Sequence, residues 1–492
     1  MKKLLFLLAI VLISGCYKDK DIFIPDGRLL EEFVKASFSG IVTDEQGNGV
    51  SDASVKVGTT EILTDNNGVF FINNIEVNTR KAYIQVTSEN FFPTSKTLSV
   101  ALNTSQNLVF RLTPKQEIGT FAATDGGTFS LPGGAVFDFP TAPIQGDYDG
   151  SVSVHGKTFS LLNNNISQTT PGDIFGLNNL EEEVALISYG MLMIDLRTEN
   201  DQLLDLATDK SVQIEIPVSN DLNPPATITL WYFDEADGLW YEEGIAVLEG
   251  SVYRATVNRT GYWNFAVPSA LMEISGKVIK DSEPIADMMI GIRQDATGTI
   301  RLIYTDSEGF YYANAPVNES ITVGIYDENC QMFITSLTRT TTTTEFVFDD
   351  LTGADGVIAY GGQVLDCDAQ VVTNGYVIVG NQIIKKINNT GNYNGNFAAG
   401  CSTSIGFVAY DRDREESSRI RNIANNPSLN VNLTACSQIV ERVDVIYDGN
   451  YFSIESDPVV SLNAVGSSED GQMSFENSNG NFTMEFQGAS AG

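Results

Sequence analysis

Apolar and polar residues alternate along most of the chain, and short stretches rich in glycine, asparagine and aspartate interrupt the alternation. A period of two places every second side chain on one face of a strand, so the pattern predicts half-buried strands rather than helices. Ser39-Gly40-Ile41-Val42-Thr43-Asp44 alternates, breaks at Glu45-Gln46-Gly47-Asn48-Gly49 and resumes at Ser54-Val55-Lys56-Val57. Thr64-Asp65-Asn66-Asn67-Gly68 then reads as a type I turn feeding Val69-Phe70-Phe71-Ile72, because aspartate caps such a turn and glycine tolerates positive φ. Tyr83–Val86 and Leu108–Leu112 complete a small all-β unit.

The same grammar returns twice. Ser275-Gly276-Lys277-Val278 is followed by Pro284-Ile285, Ile290-Gly291-Ile292 and the turn Thr305-Asp306-Ser307-Glu308-Gly309. A third copy starts at Gly362-Gln363-Val364 and reaches Asn394-Gly395-Asn396-Phe397. The intervals from Gly40 to Gly68, Gly276 to Gly309 and Gly362 to Gly395 are 28, 33 and 33 residues. The equal spacing of the last two is expected to mark a true repeat. Between copies one and two, Ile187–Leu196 reads as a strand, and Leu230–Gly244 reads as an aromatic hairpin around Asp234-Glu235-Ala236-Asp237-Gly238. Gly261-Tyr262-Trp263 closes that segment, and short strands follow 438. The fold class expected is all-β, with several Greek-key β-sandwich domains in tandem. Their boundaries are placed at 37–113, 114–270, 271–349 and 350–437, with a small β segment over 438–492. The picture is of a string of modules.

The N-terminus breaks this pattern. Lys2 and Lys3 precede an apolar run from Leu4 to Ile13, too short to span a bilayer but suited to a signal-peptide core. Leu12-Ile13-Ser14-Gly15-Cys16 resembles the lipobox of bacterial lipoproteins. The resemblance implies a signal peptide over 1–15, acylation of Cys16 with palmitate-type chains, and a tether over 16–36. Outer-membrane lipid, reached through Cys16, is then a partner. The Lys/Asp-rich Tyr17-Lys18-Asp19-Lys20-Asp21 resembles the signal that sends Bacteroidota lipoproteins to the outer face of the outer membrane.

The three copies resemble the carboxypeptidase regulatory-like family of transthyretin-like sandwiches. In the third copy Thr390-Gly391-Asn392-Tyr393 replaces the Thr-Asp pair. The resemblance implies a carbohydrate-binding-like fold. It implies no peptidase, whose zinc site lies in a separate domain with two histidines. The series Trp231-Tyr232-Phe233-Asp234, Gly238-Leu239-Trp240 and Gly261-Tyr262-Trp263 resembles the extracellular region of cartilage intermediate layer protein, which supplies no chemistry to carry across.

Composition narrows the function. The 492 residues carry a net charge of −34, which repels phosphate backbones and argues against a nucleic-acid partner. His155 is the single histidine, and it lies in an alternating strand. Histidine-based nucleophile relays and multi-histidine metal sites are therefore not expected. Carboxylates cluster at Glu181–Glu183, Asp234-Glu235 and Glu242-Glu243, where solvent would leave their acidity ordinary. Asp147-Tyr148-Asp149-Gly150 and Asp411-Arg412-Asp413 are fragments of a calcium loop without its full acid pattern. No metal or cofactor is expected. Trp231, Trp240 and Trp263 fit core aromatics better than a sugar-stacking platform, though either use is open. Cys330, Cys367, Cys401 and Cys436 allow disulfides in three pairings. The function expected is a non-catalytic surface lipoprotein presenting a binding or adhesion surface to a glycan or another surface protein. A carbohydrate-binding protein of an outer-membrane glycan-uptake system is the alternative, and a carboxylate-dependent glycoside hydrolase is less favoured.

Overall fold

The computed structural model describes residues 33–436, apart from 164, 220–221, 329, 343–345, 353–355, 381 and 427, together with the backbone of five short strands between 443 and 485. Cys16, the lipobox and the rest of 1–32 lie outside the described residues. Among the described residues, regular structure is strand, except for one four-residue helix at Ile166–Thr169. The chain is all-β, and no described helix is long and apolar enough to cross a membrane.

Three sandwiches share one plan. In the first, Phe33–Thr43 lies between antiparallel Val69–Asn78 and parallel Ser105–Arg111. Facing it is a four-stranded sheet in the order Thr60–Leu63, Ser54–Val57, Ala82–Thr87, Thr94–Leu98. In the second, the last part of Gly261–Lys280 lies between antiparallel Phe310–Pro316 and two short parallel pieces. In the third, Val357–Asp366 lies between antiparallel Asn392–Ala398 and parallel Ser428–Asn430 and Leu433–Ala435. Inward apolar residues such as Phe38, Val55 and Ile84, or Ile274, Ile290 and Val323, fill each core.

The signature turns explain the repeat. Asp65 Oδ1 accepts from the backbone of Asn67 and Val69, and Asp306 Oδ1 accepts from Glu308 and Phe310. Asn388 Oδ1 does the same for Thr390 and Asn392. The glycines that follow, Gly68, Gly309 and Gly391, have φ of 77°, 78° and 78°. Across the sheet, Gly40 faces Phe70, Gly276 faces Tyr311 and Gly362 faces Tyr393. A Cβ on Gly40 would lie 2.2 Å from the Leu108 carbonyl oxygen. The third turn glycine is therefore Gly391, and the assignment to Gly395 is corrected. Gly395 lies within a strand opposite Tyr360, and the true interval from Gly362 is 29 residues. The equal 33-residue spacing was coincidence.

The middle segment is a single curled path of strands, from Glu117–Ala122 through Glu183–Arg197 and Leu239–Glu249 to Gly127–Ser130. Its core runs from Phe121 and Val154 to Ile214, Tyr253 and Phe265. Gly261–Lys280 is 20 residues long and serves two sheets. Ala270 pairs with Val184 in the middle sheet, and Leu271 pairs with Pro316 in the second sandwich. No linker separates those two units.

The units are consecutive in sequence but not strung out in space, which corrects the picture of a string. The first sandwich touches all the others. Its Ile41, Val69 and Val109 join Met289, Leu302 and Tyr304 of the second and Tyr376, Ile384 and Tyr410 of the third in one apolar cluster. Its Phe92 packs with Trp231, Phe233 and Tyr262 of the middle unit. Polar contacts fix the registers. Tyr376 Oη donates to Asp65 Oδ2 at 2.8 Å, Asn107 Nδ2 donates to Gln382 O at 3.1 Å, and Tyr262 Oη donates to Pro93 O at 2.6 Å. Such shared burial resembles a core more than a sliding domain contact. Beyond 436, Val443–Tyr447 pairs with Asn450–Ile454, and Gln472–Asn477 pairs with Asn463–Ala464 and Gly480–Glu485.

Candidate functional site

The tryptophans are core residues. Trp231, Trp240 and Trp263 are 0%, 1% and 1% exposed. Each indole nitrogen donates to a backbone carbonyl, of Ala266, Asp173 and Arg259 respectively. Their rings pack against other aromatics, as Phe233 against Trp240 with centroids 5.1 Å apart. No ring face is left for a sugar, so the stacking platform is withdrawn. Burial of so large an apolar surface is what a small β core needs.

His155 faces Asp195 on the neighbouring strand. Burial lowers the imidazole's proton affinity below its ordinary value, partly opposed by the Asp195 charge. Asp195 is buried and salt-bridged to Arg197 at 2.8 Å, yet burial still raises its pKa. A catalytic histidine needs its Nδ1–H held by a third group, and the buried Nδ1 of His155 has no partner among the described residues.

The acidic clusters have mostly structural uses. Glu183 pairs with Arg80 and Lys81 of the first sandwich, and Glu243 pairs with Arg259 at 2.6 Å. Asp234 caps its own turn through the Ala236 amide at 2.8 Å. In the two calcium-loop fragments, Asp411 Oδ1 accepts from its own turn at Asp413 N, and Tyr148 donates to Ser151 O. Glu235 is different, and it corrects the expectation that solvent would keep these acids ordinary. The hairpin tip is pressed against the first sandwich. Tyr83 Oη donates to Glu235 O at 3.0 Å, and Gln85 Nε2 donates to Glu235 Oε2 at 3.3 Å. Burial, then the negative charges of Asp195 and Asp234, push the Glu235 carboxyl up to about 7. The contact also explains Gly238, whose absent Cβ makes room for the Tyr83 ring.

Beside this contact lies a cleft of about 630 Å³ between the first sandwich and the middle unit. Lys56, Glu76, Lys81, Tyr83, Glu235 and Asp237 line it. It is the candidate site: a groove with both charges and an aromatic wall, in the size range of ligand clefts. Nothing in the alternation of residues 83–85 or 234–238 reveals it, because the two walls are some 150 residues apart.

The cysteines form Cys330–Cys401 and Cys367–Cys436. The first joins the second sandwich to the third, and Asp327 Oδ2 beside it accepts from Gly400 N. Among the described residues, the groups that bring three metal-type ligands together both consist of one of these disulfides plus a carboxylate. Their sulfurs are tied to each other and not free as thiolates.

No family model and no curated protein matches the sequence. Among solved structures, the shaft pilin SpaA of Lactobacillus rhamnosus GG aligns at 6% identity over 35% of this chain and 100% of its own, with a TM-score of 0.18. The Bacillus anthracis TIE protein aligns at 10% identity over 76% of this chain and 73% of its own, with a TM-score of 0.16. BcpA, the major pilin subunit of Bacillus cereus, aligns at 8% identity over 65% of this chain and 99% of its own, with a TM-score of 0.14. Scores this low assign neither fold nor function to this chain.

Proposed function

We propose that this chain is a non-catalytic cell-surface lipoprotein, held in the outer membrane through Cys16, whose docked β units present a binding or adhesion surface. The observation that carries this reading is the use made of its polar side chains. Carboxylates are engaged in capping turns and in clamping one unit onto another, as Asp65 with Tyr376 and Glu183 with Arg80 do. Two disulfides suit an oxidising, extracytoplasmic setting. The likeness of the three sandwiches to carboxypeptidase regulatory-like modules belongs to the same reading, as does that of the middle unit to cartilage intermediate layer protein.

The second reading is a carbohydrate-binding protein of a glycan-uptake system, and the cleft favours it. Tyr83 and the Glu235–Asp237 hairpin would there contact a sugar chain in place of the tryptophans. A glycosidase would use the same cleft, with Glu235 as the proton donor. One experiment separates the three. Cells expressing the wild type and Cys16→Ala are labelled with an alkyne palmitate and treated with external protease. The purified protein is then incubated with polysaccharides and aryl glycosides. The proposal expects label and surface cleavage for the wild type, no label for Cys16→Ala, and no new reducing ends. Equal labelling of both proteins would sink the anchor. Turnover abolished by Glu235→Gln would replace the binding protein with an enzyme.

A further inference from the structure

A second cavity, of about 60 Å³, lies where the first sandwich, the Ile166–Thr169 helix and the second sandwich meet. A single water needs about 10–15 Å³ of such space, so several water-sized groups fit. Its walls carry the polar side chains of Lys96, Gln168, Asp173 and Arg301. Lys96, from the edge strand of the first sandwich, is 8% exposed, and its ammonium donates to Ser167 O at 2.7 Å. The ammonium also stands 5.5 Å from the centre of the Phe110 ring. Among the described residues, no carboxylate is within ion-pair distance of it. Arg301, from the second sandwich, is 7% exposed. One of its terminal nitrogens pairs with Asp173 at 2.5 Å, and the other donates to Asn314 O. Asp173 is further occupied by Asn314 Nδ2 at 2.9 Å. The Arg301 Nε has no partner among the described residues. Gln168, on the helix, is 2% exposed, and among the described residues neither its amide nitrogen nor its amide oxygen has a partner.

Charge and hydrogen-bond accounting lead in one direction. Lys96, Arg301 and Asp173 leave one positive charge uncompensated in a protein whose net charge is −34. The leftover groups are mainly donors: two protons of the Lys96 ammonium, the Arg301 Nε–H and the Gln168 amide. Water could occupy those donors but would not balance the charge, and a buried unpaired ammonium is costly. Burial, only partly opposed by Asp173, lowers Lys96 to about 8, as expected of an ammonium short of a counter-charge. We propose that this cavity is a binding site for one small monovalent anion, a halide or a formate-sized carboxylate, held by Lys96, Arg301 and Gln168. The anion locks the first sandwich to the helix and the second sandwich. Binding confined to the assembled state stabilises the docked arrangement by mass action.

The test uses the purified protein in two measurements. Crystals soaked in sodium bromide are examined by anomalous scattering at the bromine edge. A bromide peak within about 3.5 Å of Lys96 Nζ is expected in the wild type. Thermal unfolding is then compared in sodium formate, sodium chloride and sodium gluconate at matched ionic strength, gluconate being too large for the cavity. The wild type is expected to melt roughly 2–4 °C higher in formate and chloride than in gluconate. Lys96→Met removes the charge and should melt equally in all three. Should that variant fail to fold, Gln168→Glu supplies the carboxylate internally and should likewise show no preference. Wild-type crystals without the bromide peak, or a wild type that melts equally in formate and gluconate, would overturn the proposal. A peak without a melting response means an adventitious ion only, and overturns it too.

Discussion

Glu235→Gln should change how stability depends on pH, with a sign set by the half-buried Glu235 carboxyl at the hairpin tip. The carboxyl titrates at about 7 in the folded protein against an ordinary 4.5. A group whose folded pKa is raised binds its proton more tightly when folded. Its contribution therefore favours folding below the unfolded pKa, and the advantage is lost as pH rises from about 4.5 through about 7. At 1.36 kcal/mol per pKa unit, the full effect is about 3 kcal/mol, of which roughly 2–3 kcal/mol falls between pH 5 and pH 8. Glutamine is neutral at every pH and can still accept from Gln85. The variant should accordingly gain stability over the wild type at pH 8 and gain little at pH 5. Urea unfolding followed by tryptophan fluorescence reads this directly, because all three indoles are buried in the unit that carries Glu235. Other acids raised by burial, such as Asp195 and Asp237, remain in both proteins and cancel in the comparison. If the two stability curves run parallel from pH 5 to pH 8, the hairpin tip is hydrated and its docking on Tyr83 and Gln85 is wrong.

Two further outcomes follow from particular contacts. Gly309→Val forces a branched residue into φ of 78° with its Cβ 2.9 Å from Pro284 Cβ, and should destabilise the second sandwich by about 1–3 kcal/mol in a denaturant titration, with no change meaning the turn is misplaced. The double change Cys330→Ser with Cys401→Ser opens a 71-residue link between two sandwiches and should lower stability by up to about 4 kcal/mol in calorimetry. An unchanged transition there would deny the pairing.

The strands and turns were legible because they are local. Asp65-to-Gly68 and Asp306-to-Gly309 each place a capping carboxylate and a positive-φ glycine within one turn, and such chemistry can be read from four letters. The third turn was misread because asparagine stands for aspartate at 388, and Gly395 offered a more regular spacing. Docking was not legible. Alternation tells which face of a strand is apolar but not what covers the other face. Thr94-Ser95-Lys96-Thr97 is a polar run on an edge strand, yet all four residues are buried where other units pack on the first sandwich. Tyr304 and Tyr376 lie in a core shared by three sandwiches, which no local pattern announces. The acidity of Glu235 was missed for the same reason, since its desolvation comes from residues far away in the sequence.

The described β units from 33 to 436 form one docked body around the first sandwich, and this fixes the surface they present. Small-angle X-ray scattering of residues 33–436 distinguishes a docked body from a string. A compact body of that length has a radius of gyration of about 22 Å. A value near this is expected, with little change with salt, because buried apolar clusters hold the units together beside the ion pairs that join them. A radius half as large again, or one that grows with ionic strength, would return the molecule to a string of loosely tethered modules and contradict the account.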